Sequence, residues 1–138
     1  MARVADASTA LDTNVLVRFL VEDDAAQSAA AAAVVERAVA ADEPLFVSDV
    51  VLCETVWVLA GSYRVPRADI LAVLRDLLRA RHLAFASPDQ LTRALDAFSK
   101  GRGDFADYLI REHARTAGCD TVVTFEQALL HERGFVRP

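Results

Sequence analysis

Apolar positions along this 138-residue chain follow two spacings, one of strands and one of helices. Ala7 to Leu11 is an apolar run of strand length, after which Val15, Leu16, Phe19 and Leu20 recur at helical spacing. Asp12 therefore falls where strand gives way to helix. Asp24 can cap the Ala-rich stretch Ala25 to Ala41, a composition that favours helix, and Glu43-Pro44 ends it. Leu45-Phe46-Val47 reads as a second strand, followed by Ser48 or Asp49 as cap for an apolar helix from about Val50 to Ala60, closed by Gly61. Pro66 opens a helix from Arg67 to about Arg81, in which Ile70, Leu71, Leu74, Leu77 and Leu78 form one apolar stripe. Leu83 to Ala86 is a third strand. Ser87-Pro88-Asp89-Gln90 has the form of a capping box and starts a helix to about Ser99. Lys100-Gly101-Arg102-Gly103 reads as a flexible break before a helix from Asp104 to about Ala117. Thr121 to Thr124 is a fourth strand, and a short helix around Gln127 to Glu132 precedes a last extended piece, Phe135 to Arg137.

Strands separated by single helices or helix pairs imply crossover connections, hence an α/β fold with a mainly parallel sheet of four to five strands and helices on both faces. The length matches one domain, residues 1–138, and no repeat or linker interrupts it. No segment reaches the roughly 18 apolar residues that a membrane span requires. The start, MARVADASTALD, lacks the apolar core of a secretory leader, so the cytoplasm is the expected location. Cys53 and Cys119 have no metal-site spacing and are expected as reduced core thiols.

The formal charge of −5 runs against binding a polyanion, yet the basic residues are 14 Arg and a single Lys, and the guanidinium fork suits phosphate. Arg75, Arg79, Arg81 and His82 form a short basic strip, either RNA-facing or simply a solvated helix face.

The acids carry the candidate chemistry. Asp12 interrupts an apolar passage, where a buried carboxylate needs compensation; alternatively it only caps the next helix. Glu54 lies among Val50, Val51, Leu52 and Cys53 on one side and Thr55 to Leu59 on the other, with no evident solvent face. Either a metal or an ion pair with an Arg such as Arg18 or Arg111 would satisfy it. Asp104 and Asp107 stand three residues apart at a helix start, so their side chains share one face. Glu126 follows the fourth strand, and in parallel sheets ligands collect beyond the carboxyl ends of strands. Carboxylate oxygens suit Mg²⁺ or Mn²⁺, and phosphodiester hydrolysis is the chemistry that uses such a cluster. A haloacid-dehalogenase-like phosphatase is disfavoured, because Asn14 stands where a second Asp is needed and the only lysine, Lys100, lies in the Gly-rich break. His82, His113 and His131 are scattered, so serine and cysteine hydrolases lack support. A catalytically silent module that binds RNA or protein remains the alternative.

LDTNVLVRFL at 11–20, VSDVVLCETVWVL at 47–59, GDFADYLI at 103–110 and VVTFE at 122–126 resemble the PIN domains of VapC-type toxins, in an order and spacing that span nearly the whole chain. The resemblance implies a three-layer α/β/α fold and a metal-dependent endoribonuclease. It implies a metal site for Mg²⁺, with Mn²⁺ as substitute, at Asp12, Glu54 and Asp107, with Asp104 an additional acid. It also implies that Asn14 and Thr124 line the pocket and orient water or phosphate. Where the family usually has Asp after Thr-Phe, Glu126 is one methylene longer and reaches further. A homodimer, a VapB-like antitoxin, and structured RNA such as tRNA or ribosomal RNA as substrate follow from the same resemblance, with inhibition of translation and growth as the outcome.

Overall fold

The computed structural model describes residues 2–138. The backbone groups into two compact units, the first ending at Ala86 and the second beginning at Ser87.

In the first unit, β1 (Thr9–Ala10), β2 (Leu45–Phe46) and β3 (Leu83–Ala84) form a parallel sheet in sequence order, with Thr9 opposite Leu45 and Leu45 opposite Leu83. The strands are shorter than the apolar runs predict. Hydrogen bonds beyond their ends, from Leu11 N–H to the Phe46 carbonyl (2.9 Å) and from Val47 N–H to that of Ala84 (3.0 Å), carry the ladder a little further. Ala2 adds an isolated parallel bridge to Ala84. A helix pair spans each crossover, as parallel pairing requires: α1 (Thr13–Leu20) with α2 (Ala25–Ala41), then α3 (Asp49–Gly61) with α4 (Arg67–Arg79).

Caps set the starts of these helices. Asp24 accepts from Gln27 N–H at 3.0 Å and Ser48 from Val51 N–H at 3.2 Å. Pro66 is the N-cap residue of α4, one position earlier than a first-turn proline. Helix α2 buries only the stripe Ala31, Val35 and Ala38, and it packs against α1. Leu16, Val47, Leu52, Leu59, Leu74 and Phe85 are among the core side chains, each removed from water at about 1.5–3 kcal/mol for a full side chain.

The second unit contains α5 (Pro88–Lys100), α6 (Phe105–Thr116), β4 (Val122–Val123) and β5 (Phe135–Val136), the strands again parallel, with Val122 opposite Phe135. A 3₁₀ turn, Gln127–Leu129, stands where a short helix was expected. Helices α5 and α6 pack on each other through Phe98 and Phe105, whose rings meet edge to face at 6.0 Å. The fold is thus α/β, and among the described residues all strand pairing is parallel and five strands divide into a sheet of three and a sheet of two.

Two local expectations change. Ser87 makes no side-chain capping hydrogen bond, and the Gln90 side chain does not complete a box: its amide N–H donates to Thr116 Oγ1 at 2.7 Å while its buried Oε1 has no partner. Cys119 is exposed and Cys53 half-buried, so neither is a core thiol. Among the described residues no helix is long and apolar enough to cross a membrane.

Candidate metal centre

Asp12 is the N-cap of α1 and its Oδ1 accepts from Thr13 N–H at 2.8 Å. The Thr13 side chain is buried, and its hydroxyl donates to Glu54 Oε1 at 2.9 Å. Two carboxylates 42 positions apart in sequence therefore meet on one threonine. Each uses one oxygen there, and neither second oxygen has a protein hydrogen bond among the described residues.

Both acids are exposed, contrary to the burial read from their neighbours. Helix α3 buries Val51, Leu52, Thr55, Val56 and Leu59, so Glu54 falls on its outer face between Val50 and Trp57, themselves 67% and 53% exposed. That outer face is apolar rather than polar, which is why the sequence concealed it. Of the two arginines considered as partners for Glu54, Arg18 in the same unit is engaged elsewhere, with Asp23 (2.8 Å), the Tyr63 hydroxyl (2.7 Å) and Gln27 (2.6 Å); within the second unit Arg111 donates to the Arg133 carbonyl at 2.8 Å. The Tyr63 hydroxyl, donating to Asp23, and then the Arg18 charge hold the Asp23 carboxyl below its ordinary value. Asn14 is exposed in the first turn of α1 and shares a cavity of about 440 Å³ with Arg18 and Gln27.

In the second unit Asp104 caps α6 and accepts from Phe105 N–H at 2.8 Å, while Asp107 Oδ2 reaches back to Asp104 N–H at 2.9 Å. The pair forms a reciprocal capping box, with Asp in the place where Glu or Gln is usual. Partial burial raises the Asp107 carboxyl above its ordinary value. The hydrogen bond from Asp104 opposes this, and the charges of Asp104, Glu126 and Glu132 add to it. Glu126 caps the 3₁₀ turn, its Oε1 accepting from Ala128 N–H at 3.2 Å, and Thr124 Oγ1 accepts from Glu126 N–H at 3.0 Å. Thr124 thus fixes the backbone that carries Glu126. Asp104, Asp107 and Glu126 are electrostatic neighbours. Glu132 joins them without a sequence signal, since its partner, the hydroxyl of fully buried Tyr108 at 2.7 Å, lies 24 positions away.

The donor set consists of carboxylate oxygens, the chemistry of a hard divalent cation, and a cation beside Asp107 would relieve repulsion that burial intensifies. In kind, the residues fit such an ion. Among the described residues no three His, Cys, Asp or Glu side chains already stand in a ligand-like group. Thr13, which positions Glu54, escaped the sequence reading because a threonine beside an N-cap is commonplace.

No curated protein matches the chain. The PIN domain profile, however, matches residues 9–134, a span that takes in every acid described above. PIN domains are generally metal-dependent nucleases, and by this match the chain belongs to the PIN domain family.

Proposed function

We propose that this PIN domain is a Mg²⁺- or Mn²⁺-dependent endoribonuclease acting as the toxin of a VapBC-like toxin–antitoxin pair. On this reading it cleaves structured RNA, tRNA or ribosomal RNA, and so inhibits translation and growth. The observation that carries the reading is the meeting of Asp12 and Glu54 on Thr13, each with one carboxylate oxygen still available, inside a PIN match.

Asp12, Glu54 and Asp107 would hold the cation, with Asp104 and Glu126 assisting directly or through water. A bound divalent cation lowers the pKa of water and offsets charge that develops on the phosphodiester. The protein's own part is positional. Thr13 holds Glu54, and the Asp104 N–H holds one Asp107 oxygen and leaves the other for the ion. Thr124 keeps Glu126 at the end of β4, and exposed Asn14 is free to orient water or phosphate. The single-domain reading of residues 1–138, the cytoplasmic location, the homodimer and the VapB-like antitoxin belong to the same proposal. The exposed Val50 and Trp57 on α3 support a protein-binding surface.

The test is cleavage of total cellular RNA by the purified protein with Mg²⁺, Mn²⁺ or EDTA, beside Asp12→Ala. Discrete fragments that need the cation and vanish in the variant are expected. Equal cleavage by Asp12→Ala sinks the site assignment, and no cleavage by folded, antitoxin-free protein returns the chain to the silent binding module.

A further inference from the structure

We propose that the second unit carries a groove that grips the backbone of an unpaired RNA stretch through Lys100, Arg102, His131 and Arg133, with Phe125 as a stacking platform for a base. The inference rests on the nuclease reading, because it extends the substrate path away from the acids.

The groove is a cavity of about 1280 Å³, and four of the seven Lys and Arg side chains in residues 87–138 line it: Lys100, Arg102, Arg111 and Arg133. The lining also holds the acids Asp96 and Glu132, so four cations stand against two acids, a local excess of positive charge in a chain of net charge −5. Elsewhere in the unit, Arg93 and Arg115 are both engaged by buried Glu112, at 2.9 and 3.1 Å. Of the groove cations, Lys100 has a solvent-exposed pairing with Asp96, which is easily exchanged. The exposed heads of Arg102 and Arg133 have no ion pair among the described residues. Arg111 forms the floor. Its guanidinium lies 5.3 Å from the Tyr108 ring centre and 5.2 Å from that of Phe135, and its Nε is buried without a hydrogen-bond partner.

The break expected between the two helices is present, and hydrogen bonds tie the glycines on either side of Arg102. Gly101 N–H donates to the Ala97 carbonyl and Gly103 N–H to the Tyr108 hydroxyl, both at 2.8 Å. A Cβ at Gly101 would collide with that hydroxyl and stand 2.6 Å from Glu132 Oε1, and one at Gly103 would collide with Leu129. Only glycine allows the loop to lie this close, and Arg102 is the side chain it turns to solvent.

The groove also adjoins the acids. Gly103 runs directly into Asp104, and Gln127 in the lining follows Glu126. On the other side of Glu126 is Phe125, at 86% the most exposed large apolar side chain among the described residues. Phe125 is thus two positions from Gln127 of the lining, and basic side chains combined with an exposed aromatic ring hold single strands without sequence readout, whereas a duplex offers no free base face.

The test measures binding of a fluorescent single-stranded RNA 12-mer, and of its duplex, to the full chain in EDTA over a range of salt. The single strand should bind more tightly than the duplex. Arg102→Ala and Arg133→Ala should each flatten the plot of log K against log salt by about 0.7. Phe125→Ala should weaken binding roughly tenfold without changing that slope. Arg75→Ala, in the basic strip of α4, should leave both unchanged. Wild-type slopes in the Arg102→Ala/Arg133→Ala double variant, equal binding of duplex, no binding at all, or equally effective competition by polyglutamate would each overturn the groove. Because no cation is present, this outcome is separate from cleavage. Binding as expected with no cleavage defeats the nuclease reading alone, and cleavage with unaltered slopes defeats the groove alone.

Discussion

Asp107 shows how one side chain can be stabilising in shape and destabilising in charge. Its oxygen completes the capping box, while its charge is partly buried among Asp104, Glu126 and Glu132. Asp107→Asn keeps the acceptor and removes the charge, so without divalent cation the variant should melt at a higher temperature than wild type. Mg²⁺ should raise the melting temperature of wild type and leave the variant nearly unmoved, since an ion stabilises only the state that binds it. A variant that melts lower in EDTA would mean that burial and the neighbouring charges do not together destabilise the charged Asp107 carboxyl. Thr13 is the matching case of positioning. Thr13→Val retains the shape without the hydroxyl and should cut cleavage sharply, with Thr13→Ser restoring most of it. The cost in stability should stay near 1 kcal/mol, because exposed Glu54 can turn to water. A Ser variant as inactive as the Val variant would argue against the hydrogen bond as the cause. The acids were legible in the sequence as charges set in apolar surroundings. The physical inference drawn from those surroundings, burial, does not hold, because Val50 and Trp57 face outward beside Glu54.

At the level of elements, α6 and the loop before it form a single unit tied through Tyr108. Its hydroxyl accepts from Gly103 N–H and donates to Glu132, and the side chain is fully buried. Tyr108→Phe would leave the buried Gly103 N–H without a partner, a loss of about 1–3 kcal/mol. Urea unfolding should show this as a lower midpoint at unchanged slope. An unaltered midpoint would mean the loop does not depend on the tie. Helix positions were readable to within a residue or two, because Ala-rich composition, the Ile70 to Leu78 stripe and the Asp24 and Ser48 caps are all local signals. What misled was non-local. Gln90 donates to Thr116 on another helix, and the Gly-rich segment 100–103 is tied through Gly103 to a tyrosine further along the chain. Strand lengths were overestimated for a similar reason, since an apolar run marks what is buried while pairing depends on the neighbour.

For the molecule as a whole, alternation of element types was enough to establish the α/β class and parallel pairing, whereas the division of strands three and two depends on contacts that no local pattern encodes. Charge behaves similarly. The formal −5 conceals both the acid cluster around Asp107 and the cation-lined groove, and also a mixed cavity where Arg3 and Arg81 face Asp6, Asp42 and Glu43 beside His82. His82 opens the approach to β3, and its carbonyl accepts from Leu45 N–H at 2.8 Å. Partial burial lowers its imidazole pKa from 6.5. The folded chain therefore binds this proton less readily than the unfolded chain does. As pH falls below 6.5 the unfolded state takes up the proton first, and stability is lost until the folded-state pKa is reached; above 6.5 the contribution is constant. Melting temperatures measured from pH 8 to 5.5 should accordingly fall more steeply for wild type than for His82→Gln, which cannot titrate. Parallel curves would show that His82 does not contribute to the acid sensitivity. Curves that cross in the opposite sense would mean that Asp6, Asp42 and Glu43 outweigh burial and favour the charged imidazole.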